Sequence, residues 1–440
     1  MDPEFDCIIV GGGIAGLAAA ITLARARVPF LLVERGEFSG AKNVSGGVLW
    51  GPDLSRIVPE FWDDDRGYER CINHRRLTFL DGQSAMSVDF KSSHFDAPPP
   101  NGVSVLRSKF DNWLAGKVQE AIDASSMSQS SLQATDVLVD ELLVENGRVC
   151  GIRAGDDVFR CRSVIVAEGV NNLLTRQLGM QPAYVAADQV SLGVKEVIRF
   201  DRGVLEDRFQ LSGRSGVANE FIGFASQGIA GGGFLYTNRE SVSIGLVLGM
   251  TSLRGHQSRA YELLTAFKQH PVVADMLRGG QVDEYSAHVV SNGDVRGLPK
   301  EVYGNGFLIA GEAANLLVNS GRAIQGMDCA MRSGILAAET IVEARNRGDF
   351  TARSLKSYRD RLEGSFVLRD MRTFQNASFL LHDPVMYNRV PGFLCEFGRQ
   401  YFTIDGEPTP KASRILRDCI RRHTSYWELI KLGWRALRAF

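Results

Sequence analysis

Cysteine is sparse in this chain of 440 residues, and where it occurs it is badly placed for metal or redox chemistry. Cysteines stand at positions 7, 71, 150, 161, 329, 395 and 419, so none forms a Cys-x-x-Cys pair and none has a zinc-type Cys/His spacing. The same spacing excludes a compact four-cysteine iron–sulfur cluster. An odd count at low density fits a reducing cytoplasm. Charge of one sign is also missing. Lys and Arg number 50 against 51 Asp and Glu, a net charge of −1, and this argues against a nucleic-acid binder. There is no His-Glu-x-x-His, no Gly-x-Ser-x-Gly elbow and no Walker loop. Internal repeats are absent, and low complexity is confined to residues 125–131 and Pro98-Pro99-Pro100. No export signal is read. Residues 7–24 carry no charge, but acidic Asp2, Glu4 and Asp6 precede them and glycines interrupt them, which suits a nucleotide-binding turn better than a membrane span.

Glycine is in excess, with 46 residues where an average usage of about 7% would give roughly 30. Hydrophobic residues make up 44% and charged residues 23%, so the chain is long and apolar enough to bury a large core in two or three domains. Residues 5–10 read as a buried strand, Gly11 to Gly16 as a turn, 17–27 as a helix and 30–33 as a second strand ending at Glu34. A second glycine-rich loop follows at 39–51. Ser108 is the expected N-cap of a helix over 109–124. Residues 137–144 and 149–153 flank an Asn146-Gly147 turn as a hairpin, and 163–167 is a short buried strand running into Glu168-Gly169.

From about 183 to 295 the period changes to two. Val242, Ile244, Leu246 and Leu248 alternate with Ser241, Ser243 and Gly245; with 192–200, 220–225 and 233–236 this predicts a mostly antiparallel sheet. Strand–turn–helix texture returns at 306–310, Gly311-Glu312-Ala313-Ala314 and a helix over 324–347, and from 352 onward the chain is helical. The expected fold is α/β: a Rossmann-like dinucleotide-binding domain of discontinuous segments (1–75, 104–180 and 296–348), an inserted sheet domain (76–103 and 181–295) and a helical C-terminal region (349–440).

The clearest motif is Gly11-x-Gly13-x-x-Gly16 followed by Glu34. Gly11 permits a tight turn, Gly13 lets the backbone approach a pyrophosphate, and Gly16 lets the helix pack on the strand. Glu34 ends the second strand, where a carboxylate accepts the hydrogen bonds of a ribose diol. The acid alone leaves NAD(P) and FAD open. The later segment 306–314 resembles the second FAD fingerprint of glutathione-reductase-type flavoproteins, with Glu312 where an aspartate is usual. Arg107 resembles the arginine that reaches FAD in the hydroxylase-like branch.

Longer stretches carry a more specific resemblance: Glu34-Arg35-Gly36, Lys42-Asn43-Val44-Ser45-Gly46-Gly47, Val105 to Asp111, Ala167-Glu168-Gly169-Val170-Asn171, Gly232 to Tyr236, Glu284 to His288, Gly326-Met327-Asp328 and Phe402 to Gly406. In these the chain resembles the FixC family, relatives of electron-transferring-flavoprotein:quinone oxidoreductase. The resemblance implies one FAD, an electron-transferring flavoprotein as donor, and a quinone or a separate ferredoxin-like protein as acceptor. It also implies that Gly11, Gly13, Ile14, Ala15, Gly16, Glu34, Arg35, Lys42, Gly46, Gly47, Arg107, Ala167, Glu168, Gly169, Gly311, Glu312, Gly326 and Met327 bind the cofactor. No residue is singled out as catalytic, because the flavin carries the chemistry. By analogy, N–H groups at Gln325-Gly326-Met327 face the flavin N1 and C2 carbonyl. Asn315 and Gln325 depart from the usual glycine and arginine.

Three rivals share the scaffold or the cofactor. A geranylgeranyl-reductase-type enzyme is disfavoured, since its Tyr-x-Trp-x-Phe-Pro and Cys-Gly-Gly signatures are replaced by 233–237 and Ser45-Gly46-Gly47. The others are an NAD(P)H-dependent hydroxylase or dehydrogenase acting on a small molecule, and a flavin-binding scaffold subunit. His288, beside Tyr285, is read as structural or as lining the substrate side. The tail from 411 to 440 is a separate basic element. On a helical wheel Tyr426, Trp427, Leu429, Ile430, Trp434, Leu437 and Phe440 share one face, with Lys431, Arg435, Arg438 and Glu428 opposite. That pattern suits peripheral contact with the inner face of a membrane, a docked helix with a solvated basic face, or an acidic protein partner.

Overall fold

The computed structural model describes residues 4–43, 46–182, 185–377 and 383–439; Asp2, Val44, Ser45 and Phe440, singled out above, lie outside them. Strand Phe5–Val10 has no polar alternation, and Cys7, Ile8 and Ile9 are fully buried, as a strand covered on both faces requires. It lies inside an eight-stranded sheet, parallel to Phe30–Val33 on one side and to Asp157–Val166 on the other. Leu132–Ala134 and Phe307–Ile309 extend the sheet outward, again in parallel. Connections leave the central strand toward opposite edges, so a crevice opens at its carboxyl end, where doubly wound sheets take nucleotides. The alanine-rich helix Ile14–Arg25 starts in that crevice and packs between helices Arg107–Ala124 and Met327–Arg347. Gly334 permits the second contact, because a Cβ there would lie 2.1 Å from the Ala15 carbonyl oxygen.

The hairpin forms as Glu141–Glu145 and Arg148–Ala154, with Asn146 and Gly147 at φ 51° and 73°, the left-handed pair a type I′ turn demands. Three helix starts differ from expectation, the first being the helix read at 17, which already begins at Ile14 and so takes in Gly16. The helix expected at 109 begins at Arg107, with Leu106 rather than Ser108 in the capping position; its first turn is organised by the Arg107–Asp111 fork, an i,i+4 pair. The helix expected at 324 begins at Met327, because Gly321 at φ 72° folds Ile324–Gln325 back onto Val318–Asn319 as a two-stranded ribbon.

Among the described residues the second sheet has nine strands, in the order Gln281–Ser291, Val190–Arg199, Ser241–Gly249, Gly231–Thr237, Ser215–Gly223, Arg70–Leu80, Gly102–Leu106 and Gly46–Trp50, with Ala85–Lys91 added to Arg70–Leu80. Its pairings are antiparallel except that between Ser215–Gly223 and Arg70–Leu80. Gly46–Trp50, read from sequence as loop, and the first part of Arg70–Leu80 therefore pair in this sheet, not in the first. Its strand alternation separates two covered faces. Val242, Ile244, Leu246 and Leu248 pack on Leu263, Leu264 and Phe267 of helix Ala260–Gln269, while the opposite face of the pleat, with Val247, turns to a cleft between the sheets.

The C-terminal region is helical, ending in Val390–Phe402, Ala412–His423 and Tyr426–Ala439. The last helix docks through Leu432, Ala436 and Ala439 on Phe374 and Ala377. Its aromatic face does not dock: Trp427 is 73% exposed and Leu437 83%, with Ile430 and Trp434 also exposed. Among the described residues no helix is long and apolar enough to cross a membrane.

Candidate active site

One cleft of about 630 Å³ lies between the two sheets, within the range of cofactor and substrate sites. Of the eighteen residues selected from sequence, sixteen line it: all except Gly16 and Gly311. Those two are packing positions. A Cβ on Gly16 would sit 1.9 Å from the Gly11 carbonyl oxygen, and one on Gly311 3.0 Å from the Ala15 Cβ. Gly11 has φ 110°, and its Cβ would meet the Ala167 carbonyl oxygen at 2.3 Å. Gly13 is different. Its backbone is extended (φ −86°, ψ −176°), and the nearest atom to a Cβ is the Arg107 guanidinium, 3.9 Å away. Nothing in the protein requires glycine there, so the open space belongs to whatever the loop cradles.

The acids and bases around this loop are held in place. Glu34 accepts the Gly12 and Gly36 N–H groups, both at 2.8 Å, which fixes its carboxylate at the end of the second strand. Arg107 forks onto Asp111 at 2.8 and 2.7 Å, and Asn43 donates to the same carboxylate at 2.9 Å. Glu168 caps helix Leu173–Gln177, accepting from the Leu174 and Thr175 N–H groups and the Thr175 hydroxyl. Asn315 sits at φ 55°, a left-handed position that glycine or asparagine fills most readily, so that departure from the family pattern leaves the turn intact.

One group here escaped sequence reasoning. Lys195, on strand Val190–Arg199, lines the cleft; burial, then the charge of Arg107, lowers its ammonium to about 7. Glu312 lies in the same neighbourhood, where burial raises its carboxyl above the usual range, opposed by the Ser291 N–H, Arg107 and Lys195. The period-two pattern of 192–200 was the only signal for Lys195, since it puts that side chain on the cleft face. His288 lines the cleft at an exposed position of the edge strand. Arg107, already paired with Asp111, and Lys195, beside Glu312, repel one another here, and an anion such as a diphosphate would offset that repulsion.

The other end is walled by the second sheet. In register, Glu220 lies beside Phe234, Phe234 beside Gly245, and Gly245 beside Lys195; three strand spacings of about 4.8 Å separate Glu220 from Lys195 by roughly 14 Å. Phe234 and Tyr236 stack with ring centroids 5.0 Å apart. Arg75 donates to Glu220 at 3.1 Å and to the Arg322 carbonyl, and its guanidinium lies 4.4 Å from the Trp50 ring centroid. Tyr387, from the C-terminal region, also reaches this wall. Gly326 and Met327, at the start of helix Met327–Arg347, face the cleft from the first sheet's side. A long cleft with a glycine loop, a ribose-type acid and cations at one end and a helix N-terminus along it fits FAD.

Comparison with known proteins agrees. Residues 6–68 match the FAD binding domain family, 190–290 the ETF-QO, ubiquinone-binding family, and 377–440 the ETF-QO/FixC family C-terminal domain. The chain is 42% identical to protein FixC of Escherichia coli (strain K12) over 98% of both chains. It is 38% identical, over 94% of each, to the probable electron transfer flavoprotein-quinone oxidoreductase YdiS of the same organism. Among solved structures, a geranylgeranyl bacteriochlorophyll reductase-like protein of Thermoplasma acidophilum superposes with a TM-score of 0.71 at 20% identity, covering 97% of this chain and 98% of the other. The flavin-dependent brominase Bmp2 gives 0.65 at 16% identity over 95% and 98%. Cofactor cleft, family models and full-length relatives converge: this chain belongs to the FixC family of FAD-dependent oxidoreductases related to electron-transferring-flavoprotein:quinone oxidoreductase.

Proposed function

We propose that this protein takes electrons from an electron-transferring flavoprotein and passes them to a quinone, with a separate ferredoxin-like protein as the other candidate acceptor. The observation that carries the reading is a coincidence of position: the segment matching the ubiquinone-binding family, 190–290, supplies strands whose pleat faces the cleft opposite the glycine loop. FAD, when bound, supplies the two-electron carrier. In this reading the Gly11–Ala15 backbone cradles the diphosphate, Arg107 and Lys195 neutralise it, and Glu34 holds the adenosine ribose. Glu312 faces the chain between diphosphate and flavin, and the N–H groups at Gly326 and Met327 favour negative charge on the flavin ring. Glu34 exchanges its present N–H partners for ribose hydroxyls, or shares them. The aromatic residues Trp50, Phe234 and Tyr236 form an apolar wall for a quinone ring.

The exposed side chains Trp427, Ile430, Trp434 and Leu437, beside Lys431, Arg435 and Arg438, support peripheral attachment to an anionic bilayer, where a lipid-soluble quinone is met. The test is anaerobic flavin absorbance. Bleaching by a reduced electron-transferring flavoprotein, none by NADH or NADPH, and reoxidation on adding a quinone are expected. Rapid bleaching by a nicotinamide nucleotide alone would overturn the reading in favour of a small-molecule oxidoreductase.

A further inference from the structure

We propose that Glu220 is the acid that protonates a quinone reduced in this cleft, an inference that rests on the quinone reading above. Reduction of a quinone to its quinol consumes two electrons and two protons. An anionic two-electron-reduced flavin releases two electrons and one proton on oxidation, so one proton must come from the protein. In the proposed step the Glu220 O–H bond breaks, an O–H bond forms on a quinone oxygen, and the carboxylate left behind is neutralised by Arg75. Solvent then reprotonates Glu220, since 33% of its side chain remains exposed.

The assignment follows from what else stands on that wall. The charged and titratable groups on this wall are Arg75, from the neighbouring strand Arg70–Leu80, Tyr236, from Gly231–Thr237 on the other side, and Tyr387 of the C-terminal region, whose phenol burial pushes well above its usual range. From the 320–326 segment the Arg322 carbonyl accepts from Arg75, while the Arg322 guanidinium lies over the Phe374 ring, 5.7 Å from its centroid. A guanidinium does not release its proton. Burial, then the Glu220 charge, pushes the Tyr236 phenol well above its usual range, so it is a poor donor near neutrality. Lys195 lies three strands away. Burial raises the Glu220 carboxyl to about 7, against the pull of Arg75, which matches an acid to neutral operating conditions. A simple surface acid needs neither the apolar neighbours Leu77, Ile222 and Phe234 nor a guanidinium locked on an indole face.

The test compares holoenzyme with Glu220→Gln and Glu220→Asp, using a soluble ubiquinone analogue. Flavin content and quenching of tryptophan fluorescence by the quinone report folding and binding. The wild-type rate of quinol formation should fall as pH rises through about 7, because the donor is the protonated form. E220Q should bind the quinone as wild type does, yet lose on the order of a hundredfold in rate together with that pH slope; E220D, still an acid, should regain part of both. Independently of turnover, an infrared carboxylic-acid band titrating near neutrality in wild type should be missing from E220Q. Unchanged rate and slope in E220Q, or no such band in wild type, would overturn the role of Glu220 while leaving quinone reduction standing. Failure of wild type to bind or reduce the quinone would overturn both.

Discussion

Gly13→Ala and Gly16→Ala differ by three positions in one motif, yet they should fail for different reasons. At Gly16 the added Cβ would lie 1.9 Å from the Gly11 carbonyl oxygen and 3.2 Å from the Ile9 Cγ2. The first distance must open by more than 1 Å to reach ordinary contact, and both partners sit in a fully packed strand–turn–helix unit. Overpacking of this kind costs about 1–3 kcal/mol, so the apoprotein should melt about 1–3 °C lower, since the unfolding entropy of a chain this long is about 0.9 kcal/mol/K. At Gly13 the only near atom is a guanidinium nitrogen at 3.9 Å and the backbone is already extended. Apoprotein stability should therefore change only by the roughly 0.5–1 kcal/mol that alanine costs against glycine at a helix N-cap, the position Gly13 holds. The methyl instead enters the space assigned to the diphosphate. If accommodating it costs about 1–3 kcal/mol, FAD affinity falls roughly 5- to 140-fold, at about 1.4 kcal/mol per factor of ten. The assay is thermal melting of both apoproteins beside a fluorescence titration with FAD. A Gly13→Ala protein that binds FAD like wild type would refute the placement of the diphosphate. One that melts as early as Gly16→Ala would refute the division of labour between the two glycines.

Three further outcomes are expected. With Lys195 lowered to about 7, the cation that attracts a diphosphate is present below that pH and lost above it. FAD affinity should therefore weaken as pH rises through about 7, and Lys195→Met should flatten the dependence in the same fluorescence titration. Asp328 is buried, accepts the Trp50 N–H at 2.7 Å, leaves Oδ2 without a partner, and is raised to about 8, chiefly by burial. Unfolded, the same group titrates near 3.9, so the folded state holds an extra proton between those values. Wild type should lose stability over that span by up to about 1.4 kcal/mol per pH unit. Asp328→Asn should lack this term, a difference read from urea midpoints at slightly acid and slightly alkaline pH. Finally, replacing Trp427, Trp434 and Leu437 by serine should abolish co-sedimentation with anionic vesicles while leaving flavin content unchanged; vesicle binding equal to wild type would remove the tail from the membrane reading.

How much of this was legible in the sequence depended on whether a residue's neighbours lie near it along the chain. The glycine loop, Glu34 and the first strand and helix are local, and a period or spacing reports them directly. Gly16 against Gly11 is a contact across one turn, so motif and geometry coincide. Gly46–Trp50 failed because glycine density reads as loop, whereas Gly46 and Gly47 serve a strand: their Cβ atoms would strike the Ser243 hydroxyl at 2.1 Å and the Met327 methyl at 2.9 Å. Ser108 failed as a cap because Asp111 recruits Arg107 into the first helical turn, a preference set by charge pairing. The tail helix was legible as amphipathic but not in its orientation, since the stripe that docks is the small one, Ala436 and Ala439 with Leu432.

The period-two stretch shows the deeper limit. Alternation of Val242, Ile244, Leu246 and Leu248 with small residues tells which side chains share a face, but not what that face meets. A solvent-facing strand would tolerate lysine or glutamate at Ser243 and Gly245. Here Gly245 is hemmed in by the Val194 carbonyl oxygen at 2.4 Å, Phe234 at 2.6 Å and Lys195 at 2.7 Å, as seen from its missing Cβ, so only the smallest residue fits between the Lys195 and Phe234 side chains. Lys195 and Glu220 lie on that same pleat, three strands apart, and neither belongs to a motif. Their importance comes from long-range pairing among Val190–Arg199, Ser241–Gly249, Gly231–Thr237 and Ser215–Gly223. The glycine loop and Glu34 are thus written in local spacing, whereas Lys195 and Glu220 are written in sheet register, and only the first can be read without the fold.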